Sequence, residues 1–207
     1  LVNLISAYLQ PDAGKILFQG HDITYSSVSE RIKAGIARSF QLVNLFDDLS
    51  AFDNVALAIF CREGKTRKLF ALAENDDDVT RESLEVLQEF ALESERNTLA
   101  GGLAQGERKL LDVAVAYALR PKLLILDEPT SGVSTRDKAQ IMDTIASVVR
   151  DGNITVVIVE HDMDVVFKYS DRIVVMHQGM ILADGTPEEI RNNREVETIF
   201  LGVPVSS

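Results

Sequence analysis

Two continuous apolar runs constrain the fold of this 207-residue chain more than any other feature. The runs are Leu123–Leu126 and Thr155–Val159. Neither alternates apolar and polar residues, as a strand with one face in water does, so each predicts a strand covered on both faces. Such strands are typical of parallel sheets. Because helical patterns lie between and around them, we predict an α/β fold.

Apolar spacing and turn residues predict the remaining elements. Glu107–Leu119 is the clearest helix, since Leu110, Val113, Ala114 and Tyr117 share one face. Gln178-Gly179 predicts a hairpin turn, and Thr186 followed by Pro187 predicts the start of a last helix. The other predicted helices are Leu1–Leu9, Val28–Ala34, Thr80–Phe90 and Lys138–Arg150, and the other strands are Lys15–Phe18, Ile36–Phe40, Ile173–Met176 and Met180–Ala183.

The pattern from Phe46 to about Tyr117 is helical and indicates a subdomain inserted in the α/β core. An acidic stretch, Glu74–Asp78, interrupts it, and we interpret that stretch as a solvated loop. Residue 1 is Leu, and no capping residue precedes the amphipathic pattern of Leu1–Leu9. We therefore expect the chain to be cut at its N-terminus.

Composition excludes several classes of protein. The net charge is −11, which disfavours a nucleic-acid-binding surface because phosphate binding needs clustered cations. Cys61 is the single cysteine, so an internal disulfide is impossible and a reducing compartment is expected. No apolar run approaches the length of a membrane span.

Polar residues follow three of the predicted strands. Gln41 follows Ile36–Phe40, Asp127-Glu128 completes the run at 123–126, and Glu160-His161 follows Thr155–Val159. In open α/β sheets, ligands bind outside the carboxyl ends of the strands. If these strands are neighbours, a carboxylate pair, an amide and an imidazole converge there.

This set of residues favours metal-assisted transfer of a phosphoryl group to water. Asp127 suits Mg²⁺ as a hard oxygen ligand, and Glu128 suits a base that polarises the attacking water. Gln41 would touch the metal or orient the water, and His161 would stabilise the terminal phosphate. A helix cap or turn residue is the alternative role for the two acids and for Gln41, with most force for Gln41, and a structural histidine is the alternative for His161.

A second anion site is predicted at Leu103-Ala104-Gln105-Gly106-Glu107, directly before a helix. A helix N-terminus offers unpaired N–H groups to a phosphate, and Gly106 would allow close backbone approach. A flexible loop with an ordinary cap is the alternative interpretation.

In this order, these segments resemble the nucleotide-binding domain of ABC ATPases. Gln41 resembles the Q-loop, Leu103–Glu107 the signature motif, and Leu123–Glu128 the Walker B motif. Ser131–Ser134 resembles the D-loop and His161 the H-loop. Within the family, the chain is most similar to the ATPases of branched-chain amino acid uptake, through the segments Ala37–Gln41, Asn44–Phe46, Asn54-Val55, Gly185–Ile190 and Phe200–Gly202. Urea or amide uptake and lipopolysaccharide-export ATPases share much of this pattern.

The resemblance implies a P-loop NTPase-like (RecA-like) core with a mostly parallel sheet, N-terminal antiparallel β elements and an inserted α-helical subdomain. Residues 1–207 would form one domain, with the core in 1–45 and 119–185, the helical subdomain in 46–118 and a C-terminal helix in 186–207. It also implies ATP and Mg²⁺ as cofactors. Catalytic roles would fall to Glu128, His161 and Gln41, metal binding to Asp127 and Gln41, and nucleotide contacts to residues 103–107 and Ser134.

The resemblance further implies partners and a location. Two ATPase subunits, identical or not, would hold two nucleotides head to tail. They would power membrane permease subunits, and a solute-binding protein would act indirectly. The location would be cytoplasmic, with the subunit peripheral on the inner face of the cell membrane.

The sequence departs from the family pattern at three places. The Walker A motif G-x-x-x-x-G-K-[ST] is absent from the 207 residues, so we expect these residues alone to be inactive. Ala104 replaces the usual signature serine, which removes one hydroxyl contact worth about 0.5–1.5 kcal/mol. Ser134 replaces the usual D-loop acid or amide.

Two other classes stay open. One is a DNA-repair or chromosome-type ATPase, which is disfavoured because that class carries a long coiled coil between the Q-loop and the signature motif, whereas only about sixty residues separate Gln41 from Leu103. The other is a non-catalytic interaction module.

Overall fold

The computed structural model describes residues 1–39, 45–64, 76–152 and 154–201. Within these ranges the chain divides into two compact units, Leu1–Val159 and Glu160–Ser207, which are described separately. No helix of the described residues has both the length and the apolar character needed to cross a bilayer.

The first unit begins with a short helix and a small antiparallel ribbon. The elements are α1 (Val2–Ile5), β1 (Leu17–Phe18), β2 (His21–Asp22), α2 (Val28–Ala34) and β3 (Ile36–Arg38). Helix α1 is shorter than the predicted Leu1–Leu9, because the Ser6 hydroxyl donates to the Val2 carbonyl and Ala7 takes a left-handed φ of 65°. At α2, Ser27 and Glu30 form a capping box that fixes the start of the helix.

Helices occupy the described residues between β3 and residue 118. They are α3 (Ala51–Arg62), α4 (Asp77–Glu89) and α5 (Gln105–Ala118), with 3₁₀ turns at Glu93–Glu95 and Ala100–Gly102. Their fully buried side chains include Ile59, Leu87 and Leu111. Phe90 packs edge-on against Tyr117 with ring centroids 5.4 Å apart.

The start of α4 corrects the interpretation of the acidic stretch as a loop. Asp76 accepts a hydrogen bond from the backbone N–H of Val79, and Asp77 and Asp78 form the first turn of the helix. Carboxylates are favourable there because they face the positive end of the helix dipole. Gln41 and residues 74–75 lie outside the described residues.

A parallel sheet forms the centre of the first unit. The strands β4 (Leu123–Asp127) and β5 (Thr155–Val159) are joined by α6 (Thr135–Gly152), and the order in the sheet is β3-β4-β5. Leu124, Ile125 and Leu126 are completely buried, as the apolar run predicted. The prediction that Thr155–Val159 is covered on both faces is wrong, because β5 pairs with β4 alone in the described part of the sheet and Val157 and Val159 remain 36% and 38% exposed.

The described part of the second unit, residues 160–201, contains an antiparallel hairpin and three helices. They are α7 (Met163–Tyr169), β6 (Ile173–His177), β7 (Met180–Gly185), α8 (Pro187–Arg191) and α9 (Arg194–Leu201). The predicted turn is confirmed, since Gln178 and Gly179 both have positive φ. Thr186 caps α8 as predicted, but the last helical segment consists of two helices. Ile173, Val175, Ile190 and Val196 form the core of this unit.

Candidate active site

Asp127 lies at the carboxyl end of the buried central strand. It is the last residue of β4, and its Oδ2 accepts a hydrogen bond of 2.7 Å from Arg38 Nη2. Arg38 is the last residue of the neighbouring strand β3. The two side chains are only 11% (Arg38) and 19% (Asp127) exposed, so water screens this ion pair weakly. The geometry therefore fixes one oxygen of the Asp127 carboxylate.

Arg38 is a site residue that the sequence analysis did not single out. Its Nη1 donates to Asn3 Oδ1 at 2.7 Å and to Ser6 Oγ at 3.0 Å, so one guanidinium joins α1 to the end of β4. The sequence did contain a signal for this pair. Arg38 is a charged residue in an otherwise apolar strand, and the other strand ends in the acid Asp127.

Glu128 follows in a strained turn. Its φ is +49°, a left-handed conformation that costs a non-glycine residue about 1–2 kcal/mol. Its N–H donates to the Val159 carbonyl at 2.9 Å, and its carbonyl accepts from the N–H of Ser131 at 3.1 Å. Strain that the surrounding structure holds in place is typical of functional sites.

Lys109 forms two hydrogen bonds to the same turn. Its ammonium donates to the Glu128 carbonyl at 3.3 Å and to Ser131 Oγ at 3.0 Å. This side chain comes from α5, the helix that follows the predicted signature segment.

The start of α5 carries that segment. Ala104 occupies the N-cap position with an extended backbone and supplies no side-chain cap, because alanine has no acceptor. The Glu107 carboxylate instead accepts from the Ala104 N–H at 2.8 Å. Leu103 is buried, so its side chain is a packing residue and only its backbone can face a ligand.

Gln105 contacts the turn that follows Glu128. Its amide Nε2 lies 2.6 Å from the position that a Cβ on Gly132 would occupy, so a larger residue there would displace the end of this side chain, and the φ of +76° also favours glycine. Gly106 behaves differently, because a Cβ would meet only Ile141 at 3.8 Å. Packing within the chain therefore does not require glycine at position 106.

Ser134 acts as a local helix cap. Its hydroxyl donates to the Asp137 carboxylate at 2.7 Å and accepts from the Asp137 N–H at 3.3 Å, directly before α6. These bonds satisfy the hydroxyl within the chain, so contact with a nucleotide would compete with the cap.

Of the residues predicted to converge, the described part of the first unit contains only Asp127 and Glu128, which are neighbours in the chain. Gln105, from the predicted signature segment, lies against Gly132 at the end of the turn that begins at Glu128. Gln41 lies outside the described residues, and His161 belongs to the second unit, exposed and just before the Asp162 cap of α7. Their approach to the carboxylates stays a prediction.

The donor set fits magnesium bound together with a phosphate ligand. Within the described ranges, no three His, Cys, Asp or Glu side chains gather to hold a metal ion by themselves. A single carboxylate at a strand end, Asp127, suits Mg²⁺, which commonly takes one or two carboxylates and completes its shell with substrate phosphates and water.

Comparison with known proteins decides which family contains this site. The sequence profile of the ABC transporter family matches residues 1–131. The chain belongs to the ABC transporter family. It is therefore an ABC ATPase, whose hydrolysis of ATP is coupled to transport.

Individual relatives agree with this family. The ABC ATPase is 35% identical over 206 residues to the high-affinity branched-chain amino acid transport ATP-binding protein BraF of Pseudomonas aeruginosa, covering 97% of this chain and 80% of the relative. It is 32% identical over 207 residues to LivG of Escherichia coli K12, with the same coverage. A solved ATP-binding cassette of an ABC transporter superposes with a TM-score of 0.84 at 26% identity, covering 96% of this chain and 81% of that one. The α/β fold class is confirmed.

Proposed function

We propose that this ABC ATPase powers the import of branched-chain amino acids. The relatives in P. aeruginosa and E. coli carry that substrate in their names, and the similarity to each extends over 97% of this chain. The segments around 37–55 and 185–202, which resemble the same group of ATPases, support the assignment.

In this proposal, Glu128 polarises the water that attacks the terminal phosphate of ATP. Three hydrogen bonds hold its backbone, from its N–H to Val159 and to its carbonyl from Ser131 and Lys109, and they would fix where the side chain leaves the turn before the nucleotide arrives. Asp127, held by Arg38, would bind Mg²⁺ with Gln41. Bound magnesium neutralises charge on the phosphates. His161 would contact the terminal phosphate.

The N-terminus of α5 would bind the nucleotide of a second subunit. Free N–H groups and the helix dipole favour an anion there, and Ala104 leaves these groups without a side-chain cap. Residues 104–107 would contribute this surface, and Ser134 would lie beside it. The second subunit would be identical or a paralogue, and the pair would drive permease subunits at the inner face of the membrane, supplied by a solute-binding protein.

The position of Asp127-Glu128 carries the proposal, since the pair follows three completely buried residues, Leu124–Leu126, and Glu128 has a left-handed φ. The test is Glu128→Gln in the ATPase as it occurs with its partner subunits. We expect ATP binding within about twofold of wild type and turnover at least about 100-fold slower, as for loss of a general base. Near-normal turnover would refute the role of Glu128.

The transported solute needs a separate test. Cells that lack this ATPase and regain it on a plasmid should recover uptake of labelled leucine, isoleucine and valine, and cells given Glu128→Gln should not. Recovery of urea or amide uptake alone, or of lipopolysaccharide export, would reject branched-chain amino acids as the substrate.

A further inference from the structure

A buried lysine of α5 reaches the turn that carries Glu128. Lys109 is 7% exposed, although lysine is among the residues least often buried. Its ammonium lies 3.0 Å from Ser131 Oγ and 3.3 Å from the Glu128 carbonyl oxygen. Burial of a charged group is unfavourable unless hydrogen bonds compensate it. The two hydrogen bonds to the turn are therefore what stabilises the buried ammonium.

The turn needs such support because its backbone is unfavourable. Glu128 has a φ of +49°, and a glutamate side chain clashes with its own backbone in this region. One end of the turn is fixed by the hydrogen bond from the Glu128 N–H to Val159 on β5. The Glu128 carbonyl sets the plane of the next peptide bond, and Lys109 holds that oxygen.

We propose that Lys109 is a positioning residue for ATP hydrolysis, which holds the Glu128 backbone so that the carboxylate points at the attacking water. This inference rests on the proposed function, in which Glu128 is the base. Lys109 touches neither water nor nucleotide in this account, and it acts through Glu128 alone.

A purely structural role predicts a different pattern. If Lys109 only stabilises the fold, replacing it lowers the melting temperature and the amount of active protein. The resulting decrease in turnover would then add to the decrease caused by any other substitution. If Lys109 acts through Glu128, its loss has no further effect on turnover once the carboxylate has been removed.

The experiment measures steady-state kinetics of the ATPase with its partner subunits. The variants are Lys109→Met, which keeps the length of the stem, Lys109→Arg, which keeps the charge and donors, and each in combination with Glu128→Gln. Lys122→Met is the matched control, since Lys122 is exposed, precedes β4 at the opposite end from Asp127, and donates to Gln19.

For Lys109→Met we expect kcat to fall about tenfold with KM for ATP within about twofold, because the Glu128 backbone loses one hydrogen bond from a charged donor and the base is less well placed for the chemical step. Lys109→Arg should recover at least about half of the wild-type kcat, and Lys122→Met should match wild type. In the Glu128→Gln background, Lys109→Met should change kcat by less than about twofold.

Three outcomes overturn the inference: wild-type kcat in Lys109→Met, a full tenfold further loss in the Glu128→Gln background, or no recovery with Lys109→Arg. If Lys109→Met does not fold, Lys109→Gln replaces it, and wild-type kcat in that variant also overturns the inference. A Glu128→Gln enzyme that hydrolyses ATP normally would instead reject the proposed function, whatever the Lys109 variants do.

Discussion

Replacing Arg31 by methionine should remove a large part of the free energy of unfolding of the first unit. The Arg31 guanidinium is 2% exposed and donates four hydrogen bonds to backbone carbonyls. The bonds to Ile23 and Thr24 are buried, at 2.7 and 2.9 Å, whereas those to Leu4 and Ile5 are partly buried. Burial lowers the pKa of the Arg31 guanidinium, which indicates that desolvation already costs free energy at this site.

The magnitude follows from the acceptors left behind. Among the described residues the Thr24 carbonyl has no other donor, and leaving it unpaired costs about 1–3 kcal/mol. The Ile23 carbonyl keeps the Ser26 N–H at 3.1 Å and loses one of two hydrogen bonds, which costs about 0.5–1.5 kcal/mol. The sum is about 3 kcal/mol, so with a urea m-value of about 2 kcal/mol/M the denaturation midpoint should fall by about 1.5 M.

The assay is urea denaturation followed by circular dichroism, with Arg81→Met as the control. Arg81 is 68% exposed and pairs with Asp78 across one helical turn, so its loss should change the free energy of unfolding by less than about 0.5 kcal/mol. A loss below about 1 kcal/mol for Arg31→Met would refute the reasoning, since the carbonyls would then be satisfied without the guanidinium.

Two further predictions test the site and the ion pairs. Gly106→Ala should raise the free energy of unfolding by about 0.5–1 kcal/mol, because the added methyl has room beside Ile141, and it should lower ATP turnover by crowding the phosphate; unchanged turnover would remove position 106 from the nucleotide site. Hydrogen bonds from Arg62 lower the pKa of Glu82 below its ordinary 4.5, so this pair stabilises the fold above pH 4.5 and the contribution is lost as the pH falls through the lowered value. The stability gap between wild type and Glu82→Gln, measured by thermal melts, should therefore narrow below pH 4.5, and a gap that stays constant would contradict this sign.

The central strand could be predicted from the sequence because its pattern has a single physical interpretation. Four consecutive apolar residues, followed by two acids, fit a short strand that is buried on both faces, and in β4 Leu124, Ile125 and Leu126 are completely buried and Asp127 is the last residue. The predicted start of α4 was wrong because aspartates are equally compatible with a solvated loop and with the first turn of a helix. Which of the two forms depends on the hydrogen bond from Val79 to Asp76.

The residues that position the site were harder to find. Lys109 lies four residues before Val113, so it shares a row with the apolar face of α5, and a lysine in such a row is the signal that a buried polar partner exists. The sequence cannot show which partner that is, because Glu128 and Ser131 are about twenty residues away and only the packing of α5 against β4 brings them near. Arg38 was missed for the same reason, since its partner Asp127 is 89 residues away.

Helix α5 connects the two halves of the predicted site. Its first turn carries Gln105, whose amide packs against Gly132, and its second turn carries Lys109, which holds the Glu128 carbonyl. A helix transmits displacement because its backbone hydrogen bonds make it rigid along its length. Under the proposed arrangement, a phosphate that binds the N-terminus of α5 would therefore shift both contacts with the 128–132 turn together. Gly132 makes the first contact possible, because a Cβ on this residue would lie 2.6 Å from the Gln105 amide nitrogen and displace it. Binding at one nucleotide and the orientation of the base at the other would then be coupled through this one helix and these two side chains.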